Sequence, residues 1–346
     1  MTRTFFARYR GYVIALVAAL VVAAVLLPSP STSLGAYVYE LLRRCPDESD
    51  AIAPSQFYVI GHRGAAGHAV ENTIPSMDSA LRLGANAIEI DLCMTRDSAI
   101  VLWHDWMPDD PIATARQQGT ETDVLAKPVV PDDEDPMHRP VHELTLAELR
   151  SAYGYALKDS TRRLDVSIPT LEEFLAWSTG KEPLRAVYLD IKVPDELASM
   201  GPAVIARIER ILAASRPAYE VVYLVAFEQV YDAVEPMLPE GNISFDREPP
   251  GGLILDPAEY GSTPTALARG NRHASTIIPI TSTFGPWTTA RRIARTDVLA
   301  SSGRVRFVTG TMNDPEKLAC LVGLGVAGIF TDFPERLRRI VGTPAR

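Results

Sequence analysis

Glu89 and Asp91 stand one residue apart in the apolar run Ala87-Ile-Glu-Ile-Asp-Leu92. In a β-strand successive side chains alternate faces, so these two carboxylates point the same way. Brought together out of water they repel each other, and burial penalises both charges. A divalent cation between them removes that cost, and hard oxygen ligands suit Mg²⁺ or Ca²⁺. A solvated strand face is the plainer alternative, since Ile88, Ile90 and Leu92 also fit an ordinary half-buried strand. Two neighbouring segments bear on the choice. Phe57-Tyr-Val-Ile-Gly-His-Arg-Gly64 is an apolar run ending in His62 and Arg63, and Ala99-Ile-Val-Leu-Trp-His-Asp105 is another ending in His104 and Asp105. Titratable groups at strand C-terminal ends are what active sites of α/β barrels and open α/β sheets are made of. Both histidines at strand ends, next to an arginine and a carboxylate pair, point to a catalytic site.

The elements that must position these residues are legible from residue 57 onward, where apolar β-type runs alternate with helical patterns as in a parallel α/β fold. Eight barrel strands are expected at 57–61, 87–91, 186–191, 221–226, 242–246, 276–280, 305–309 and 328–332. An extra strand at 99–103 pairs as a hairpin with the second through Thr95-Arg-Asp-Ser98. Thr73, Pro75 and Gly84 bracket a helix; Thr145 with Glu148 and Thr170 with Glu173 make capping boxes; 195–214 and 315–324 complete the helical set. Residues 109–140 are Pro-rich and acidic at 132–135, and read as a long loop rising from the active-site face as a lid or side wall. His138 and His142 within it are expected to be spectators, and the acidic run a solvated loop.

His62-Arg63-Gly64, Glu71-Asn72-Thr73, Glu89-x-Asp91 and His104-Asp105 resemble, in order and spacing, the signature of the glycerophosphodiester phosphodiesterase family, among the phosphatidylinositol phospholipase C-like barrel phosphodiesterases. The resemblance continues through Leu144-Thr-Leu-Ala-Glu-Leu149, Ile168-Pro-Thr-Leu-Glu-Glu173, Asp190-Ile-Lys192 and Gly325-Val-Ala-Gly-Ile-Phe-Thr-Asp-Phe-Pro334. It implies a TIM-type (β/α)8 barrel, with the hairpin and long loop inserted after the second strand. It implies His62 and His104 as catalytic residues, Arg63, Glu71 and Lys192 on the substrate phosphate, and one Mg²⁺ or Ca²⁺ on Glu89, Asp91 and Asp190. It also implies attack by a neighbouring substrate hydroxyl to give a cyclic phosphate, which water then opens. The activity implied is hydrolysis of glycerophosphodiesters to glycerol 3-phosphate and an alcohol. The chain departs from the pattern at Asp190, where the family usually has Glu, and at Phe307-Val-Thr-Gly-Thr-Met-Asn313, which lacks the usual tryptophan. The stretch between Asp105 and Ile168 also looks longer than usual. Alternatives are a phospholipase D-like enzyme acting on lysophospholipids or sphingolipids, and a non-catalytic phosphoester-binding barrel. The retained histidines, arginine and acidic positions weigh against the second, and Glu89 and Asp91 against a metal-free phospholipase C.

With 346 residues, 47% hydrophobic and 22% charged, the chain has ample material for a core and could be one large α/β barrel or two ordinary domains. A net charge of −9 argues against nucleic-acid binding. Cys45, Cys93 and Cys320 suggest neither a disulfide framework nor a zinc site. Residues 11–27 are uncharged and apolar, at the lower limit for crossing a bilayer, and follow Arg3, Arg8 and Arg10. The expected organisation is therefore a membrane anchor or signal segment at 1–30, a linker at 31–55 with a short helix near 36–44, and the phosphodiesterase barrel at 56–346. The amino terminus is expected in the cytoplasm and the catalytic domain outside a cell membrane. Signal cleavage near Leu34-Gly-Ala36, giving a secreted or periplasmic enzyme, is the alternative.

Overall fold

Eight apolar strands pair side by side into a closed ring in the computed structural model, which describes residues 56–239, 241–247, 262–277, 294, 295, 297, 298, 301 and 304–342. In chain order the described elements begin with β1 (Tyr58–Gly61), α1 (Ile74–Arg82), β2 (Ala87–Met94), β3 (Ile100–Leu102), α2 (Pro111–Gln117) and β4 (Ala126–Val129). They continue with α3 (Leu146–Ala152), β5 (Gly154–Leu157), α4 (Leu171–Ser178), β6 (Ala186–Ile191), α5 (Gly201–Ser215), β7 (Glu220–Val225) and α6 (Glu228–Val234). The last are β8 (Ile243–Arg247), α7 (Ser262–Arg269), β9 (His273–Ile277), β10 (Arg306–Gly310), α8 (Pro315–Gly323), β11 (Gly328–Thr331) and α9 (Pro334–Val341).

The parallel ring runs β1, β2, β6, β7, β8, β9, β10, β11 and back to β1, with β3 antiparallel on β2. Strands β2 and β6 are buried along their whole length, as barrel strands covered on both faces must be. Alternation then divides their side chains. Tyr58, Ile60, Ala87, Ala186, Tyr188, Val222, Leu224, Val308 and Phe330 form one apolar cluster filling the barrel. Glu89, Asp91 and Asp190 share parity with those inward residues and sit further along their strands, so they cap the cluster at the C-terminal end. The opposite-parity residues, such as Ile88, Ile90, Val187 and Leu189, pack outward with Leu171, Phe174, Val204, Ile205 and Ile208.

The capping boxes on Thr145 and Thr170 form as expected, each hydroxyl accepting from the backbone N–H three residues on. Thr73 precedes α1 without a side-chain cap; its hydroxyl donates to the Val70 carbonyl instead. The sixth barrel strand begins three residues earlier than expected, at His273. The expected 195–214 helix starts as a 3₁₀ turn over Asp195–Met200 before α5. The 109–140 segment is more than a loop. Asp110 caps α2 through Ile112 N–H, with Pro111 in the first turn, and β4 pairs antiparallel with β5. Pro128 hides this strand from a sequence reading, because proline is tolerated only on such edges. Cys320 is disulfide-bonded, which three scattered cysteines did not suggest. The expected membrane segment, linker and 36–44 helix lie outside the described residues. Among the described residues no helix is long and apolar enough to cross a membrane.

Candidate active site

Parallel pairing of β2 and β6 sets Asp91 beside Asp190, with Glu89 one inward step below Asp91. All three are buried, and one carboxylate oxygen from each lies within 4.8 Å of the others. Their partners leave gaps. Glu89 Oε2 accepts from Arg63 N–H at 2.8 Å, while Oε1 is buried with no partner. Asp190 Oδ2 lies 2.6 Å from Lys192 Nζ, while Oδ1 is buried with no partner. Carboxylate oxygens only accept, so two orphaned acceptors facing a third carboxylate want a cation. The surrounding charge points the same way: buried Glu71, Glu89, Asp91, Asp105, Glu121, Asp190 and Asp332 outnumber Arg63, Arg116 and Lys192. Glu89, Asp91 and Asp190 therefore fit a hard divalent ion.

Electrostatics separates the three. Burial, then the neighbouring Asp91 and Asp190 charges, pushes Glu89 well above the usual carboxylate range. Burial raises Asp190 too, against the pull of Lys192. Burial would raise Asp91 as well, but Arg63, His104 and Lys192 hold it below the usual range. Without a cation, Glu89 and Asp190 thus retain protons at pH values where ordinary carboxylates have lost them, and a cation must displace those protons. Affinity for Mg²⁺ or Ca²⁺ should accordingly tighten as pH rises above the ordinary carboxylate range, by up to about tenfold per pH unit for each proton displaced. Calorimetric titrations at several pH values check this; an affinity independent of pH contradicts it.

Each expected catalytic histidine is held by a carboxylate. His62 follows β1 and its Nδ1 lies 2.8 Å from Asp332 Oδ1, just past the adjacent β11. Asn313 fixes that carboxylate, donating from Nδ2 to Oδ2 at 2.6 Å and accepting Asp332 N–H at 2.9 Å. His104 Nδ1 lies 2.5 Å from Asp105 Oδ1, and Arg116 Nη1 donates to Asp105 Oδ2 at 2.5 Å. In both pairs Nδ1–H donates to the carboxylate, which turns Nε2 toward the substrate. Burial, reinforced by the charges of Arg116 and Arg63, pushes His104 well below the ordinary histidine range.

Arg63 departs from its expected role. It is 3% exposed, its Nη1 donates to Glu71 at 2.8 Å and to Glu121 at 3.3 Å, and its Nε lies 3.0 Å from Asp91. Nη2 is the edge left for a phosphate. Glu71 also receives Arg116, so both its oxygens are committed to arginines rather than turned to a substrate. Lys192 lies 2.6 Å from Asp190 and 3.8 Å from Asp91, partly exposed at the rim. The loop that carries His62 and Arg63 turns back sharply. Gly64 has φ +88°, and a Cβ there would lie 2.5 Å from Ser76 Oγ. Asn72, at φ 52°, braces Asp91 twice, donating from Nδ2 to Oδ2 at 2.7 Å and accepting its N–H at 3.2 Å. His138 pairs with Asp109 at 2.8 Å and with the Pro131 carbonyl. Arg116, Glu121 and Asn313 are site residues that sequence reasoning missed. The first two lie in the segment read as a loop, and Asn313 closes the 307–313 segment that was noted only for lacking a tryptophan.

Two histidine–carboxylate pairs and an acidic cluster lie at the C-terminal rim of the (β/α)8 barrel, where enzymes of this fold carry their active sites. The model of the glycerophosphoryl diester phosphodiesterase family matches residues 62–228. A glycerophosphodiester phosphodiesterase of Bacillus subtilis (strain 168) is 23% identical over 306 residues, 85% of this chain and 89% of that one. The fold is shared with a glycerophosphodiester phosphodiesterase from Parabacteroides distasonis, at TM-score 0.57 and 18% identity over 83% of this chain and 97% of that one. It is shared also with an Oleispira antarctica phosphodiesterase solved with its product sn-glycerol-3-phosphate, at TM-score 0.56 and 17% identity over 82% and 95%. Residues 62–228 thus match the glycerophosphoryl diester phosphodiesterase family, and the chain is similar over most of its length to an enzyme of that class.

Proposed function

We propose that this enzyme cleaves glycerophosphodiesters to glycerol 3-phosphate and an alcohol, with one Mg²⁺ or Ca²⁺ held by Glu89, Asp91 and Asp190 and with His62 and His104 as acid and base. The observation that carries this reading is the pair of orphaned oxygens, Glu89 Oε1 and Asp190 Oδ1, beside Asp91, on which both His104 and His62 bear electrostatically. When bound, the cation supplies positive charge for the non-bridging phosphate oxygens. His104, neutral and with Nδ1–H held by Asp105, takes the proton of the attacking hydroxyl at Nε2. His62, acting as the imidazolium and oriented by Asp332, delivers its Nε2 proton to the leaving alcohol oxygen; when water opens the cyclic phosphate that the substrate hydroxyl has formed, His62 takes the water proton and His104 returns its own to the ring oxygen. Lys192 Nζ and the remaining edge of Arg63 add donors at the rim. The product bound to the Oleispira antarctica enzyme supports the same product here. Incubation with glycerophosphocholine should release glycerol 3-phosphate and choline. Release of glycerol and phosphocholine, or no turnover, sinks the reading; faster turnover of lysophosphatidylcholine shifts it to the phospholipase D-like alternative.

We also propose that the barrel works outside a cell membrane, anchored through residues 11–27 with the amino end cytoplasmic. Arg3, Arg8 and Arg10 before the apolar run support this orientation, and the disulfide at Cys320 fits an oxidising compartment. A reporter fused after Arg346 should be active only when exported; activity confined to the cytosol contradicts the topology.

A further inference from the structure

We propose that Arg116, carried on the inserted helix α2, is a positioning residue for His104, acting through Asp105; this rests on the acid–base reading of His104 above. Arg116 is 3% exposed and all three guanidinium nitrogens are engaged. Nη1 donates to Asp105 Oδ2 at 2.5 Å, Nε to Glu121 Oε2 at 3.0 Å and Nη2 to Glu71 Oε1. The Asp105 carboxylate is thus shared, with Arg116 on one oxygen and His104 Nδ1 at 2.5 Å on the other. These are its side-chain partners among the described residues. A carboxylate with one hydrogen-bonded neighbour can rotate about its Cβ–Cγ bond, whereas one gripped by a planar, immobile guanidinium cannot. Fixing the Asp105 plane fixes where Oδ1 meets the imidazole, which holds the proton on Nδ1 and aims Nε2 at the substrate.

The inserted segment is built to deliver this side chain. Asp110 starts α2 by accepting Ile112 N–H at 2.8 Å, Ala113 is buried, and Gln117 Nε2 ties the helix end to the Pro108 carbonyl at 2.7 Å. The chain leaves the barrel at Asp105 and, eleven residues later, returns Arg116 to the carboxylate it has just passed. An arginine serving only as a buried counter-charge for Glu71 and Glu121 would need no contact with Asp105. That contrast separates a positioning role from a purely structural one.

The test is a double-mutant cycle on the full chain, saturated with Mg²⁺ or Ca²⁺ and assayed with glycerophosphocholine. Arg116→Gln should lower kcat by about ten- to a hundredfold, as loss of an orienting partner does, with KM changed less than about twofold. In the His104→Ala background the same substitution should cause no further loss, because the group it positions is gone. Asp105→Asn, which cuts the link between them, should lower kcat at least as far as Arg116→Gln. If Arg116→Gln does not fold, Arg116→Lys, which keeps the buried charge and loses the fork, takes its place in the same cycle. An equal fall in both backgrounds, an effect on KM alone, or an Asp105→Asn loss smaller than that of the Arg116 variant overturns the proposal. Wild-type turnover by His104→Ala overturns the acid–base reading itself, and the proposal with it.

Discussion

His62→Ala and His104→Ala each lower kcat for glycerophosphocholine by about two to four orders of magnitude, the range expected when a general acid or base is lost. The expectation follows from two independent pairs, His62 with Asp332 and His104 with Asp105, each holding Nδ1 and leaving Nε2 to the substrate. Both histidines lie just past the C-terminal ends of their strands, so the losses should appear in kcat with the fold intact. Cation affinity should persist in both variants, because the candidate ligands come from β2 and β6 rather than from the loops that carry the histidines. Steady-state kinetics beside a calorimetric cation titration checks both parts. Near-normal turnover by either variant makes that histidine structural and breaks the two-histidine mechanism.

Glu89→Gln has an opposite signature in stability and in function. Burial and the charges of Asp91 and Asp190 raise Glu89 far above its unfolded value, so its ionised form is disfavoured in the folded state. For a carboxylate shifted in this direction, stability is fullest below the unfolded pKa and is lost as pH rises toward the folded one. Glutamine mimics the protonated form and removes that penalty at neutral pH. The cation-free variant should therefore melt at the same temperature as wild type or higher. It should bind Mg²⁺ or Ca²⁺ at least about a hundredfold more weakly, since losing even an outer-shell partner costs ten- to a hundredfold. Turnover at limiting cation should fall in proportion. The contrast with Asp91→Ala is informative. Asp91 faces Arg63 and Lys192, and removing one partner of a buried ion pair costs about 3–5 kcal/mol. That variant should lose both stability and activity. A Glu89→Gln protein that melts lower than wild type without cation, yet binds the ion as well, contradicts the assignment of Glu89 as a ligand.

The sequence was most legible where burial and alternation dictate the answer. Strands such as β6 are apolar on both faces, so their extent is written in composition, and the inward parity of Glu89, Asp91 and Asp190 follows from spacing alone. The capping boxes at Thr145 and Thr170 are local chemistry and equally readable. Arg116 and Glu121 were not legible, because nothing local marks them. Arg116 meets Glu71 across 45 residues of chain and Arg63 meets Glu121 across 58. Both partners sit in a Pro-rich acidic stretch whose short helix and edge strand are set by tertiary contacts. Asp332 has the same history. Nothing local marks it as a histidine partner, and only the closure of β11 on β1 sets it beside His62. Arg63 was read from its charge as a phosphate donor, but the carboxylates that occupy most of its fork come from β2, from the loop before α1 and from the inserted segment.

The central claim is that buried Glu89, Asp91 and Asp190 hold a cation on which the reaction depends. Its most direct test is turnover of glycerophosphocholine by enzyme stripped with chelator and dialysed free of it, measured before and after Mg²⁺ or Ca²⁺ is returned. The account predicts loss of turnover on stripping and recovery with the ion, together with a higher melting temperature once the ion is bound. Full turnover by the stripped enzyme would contradict it.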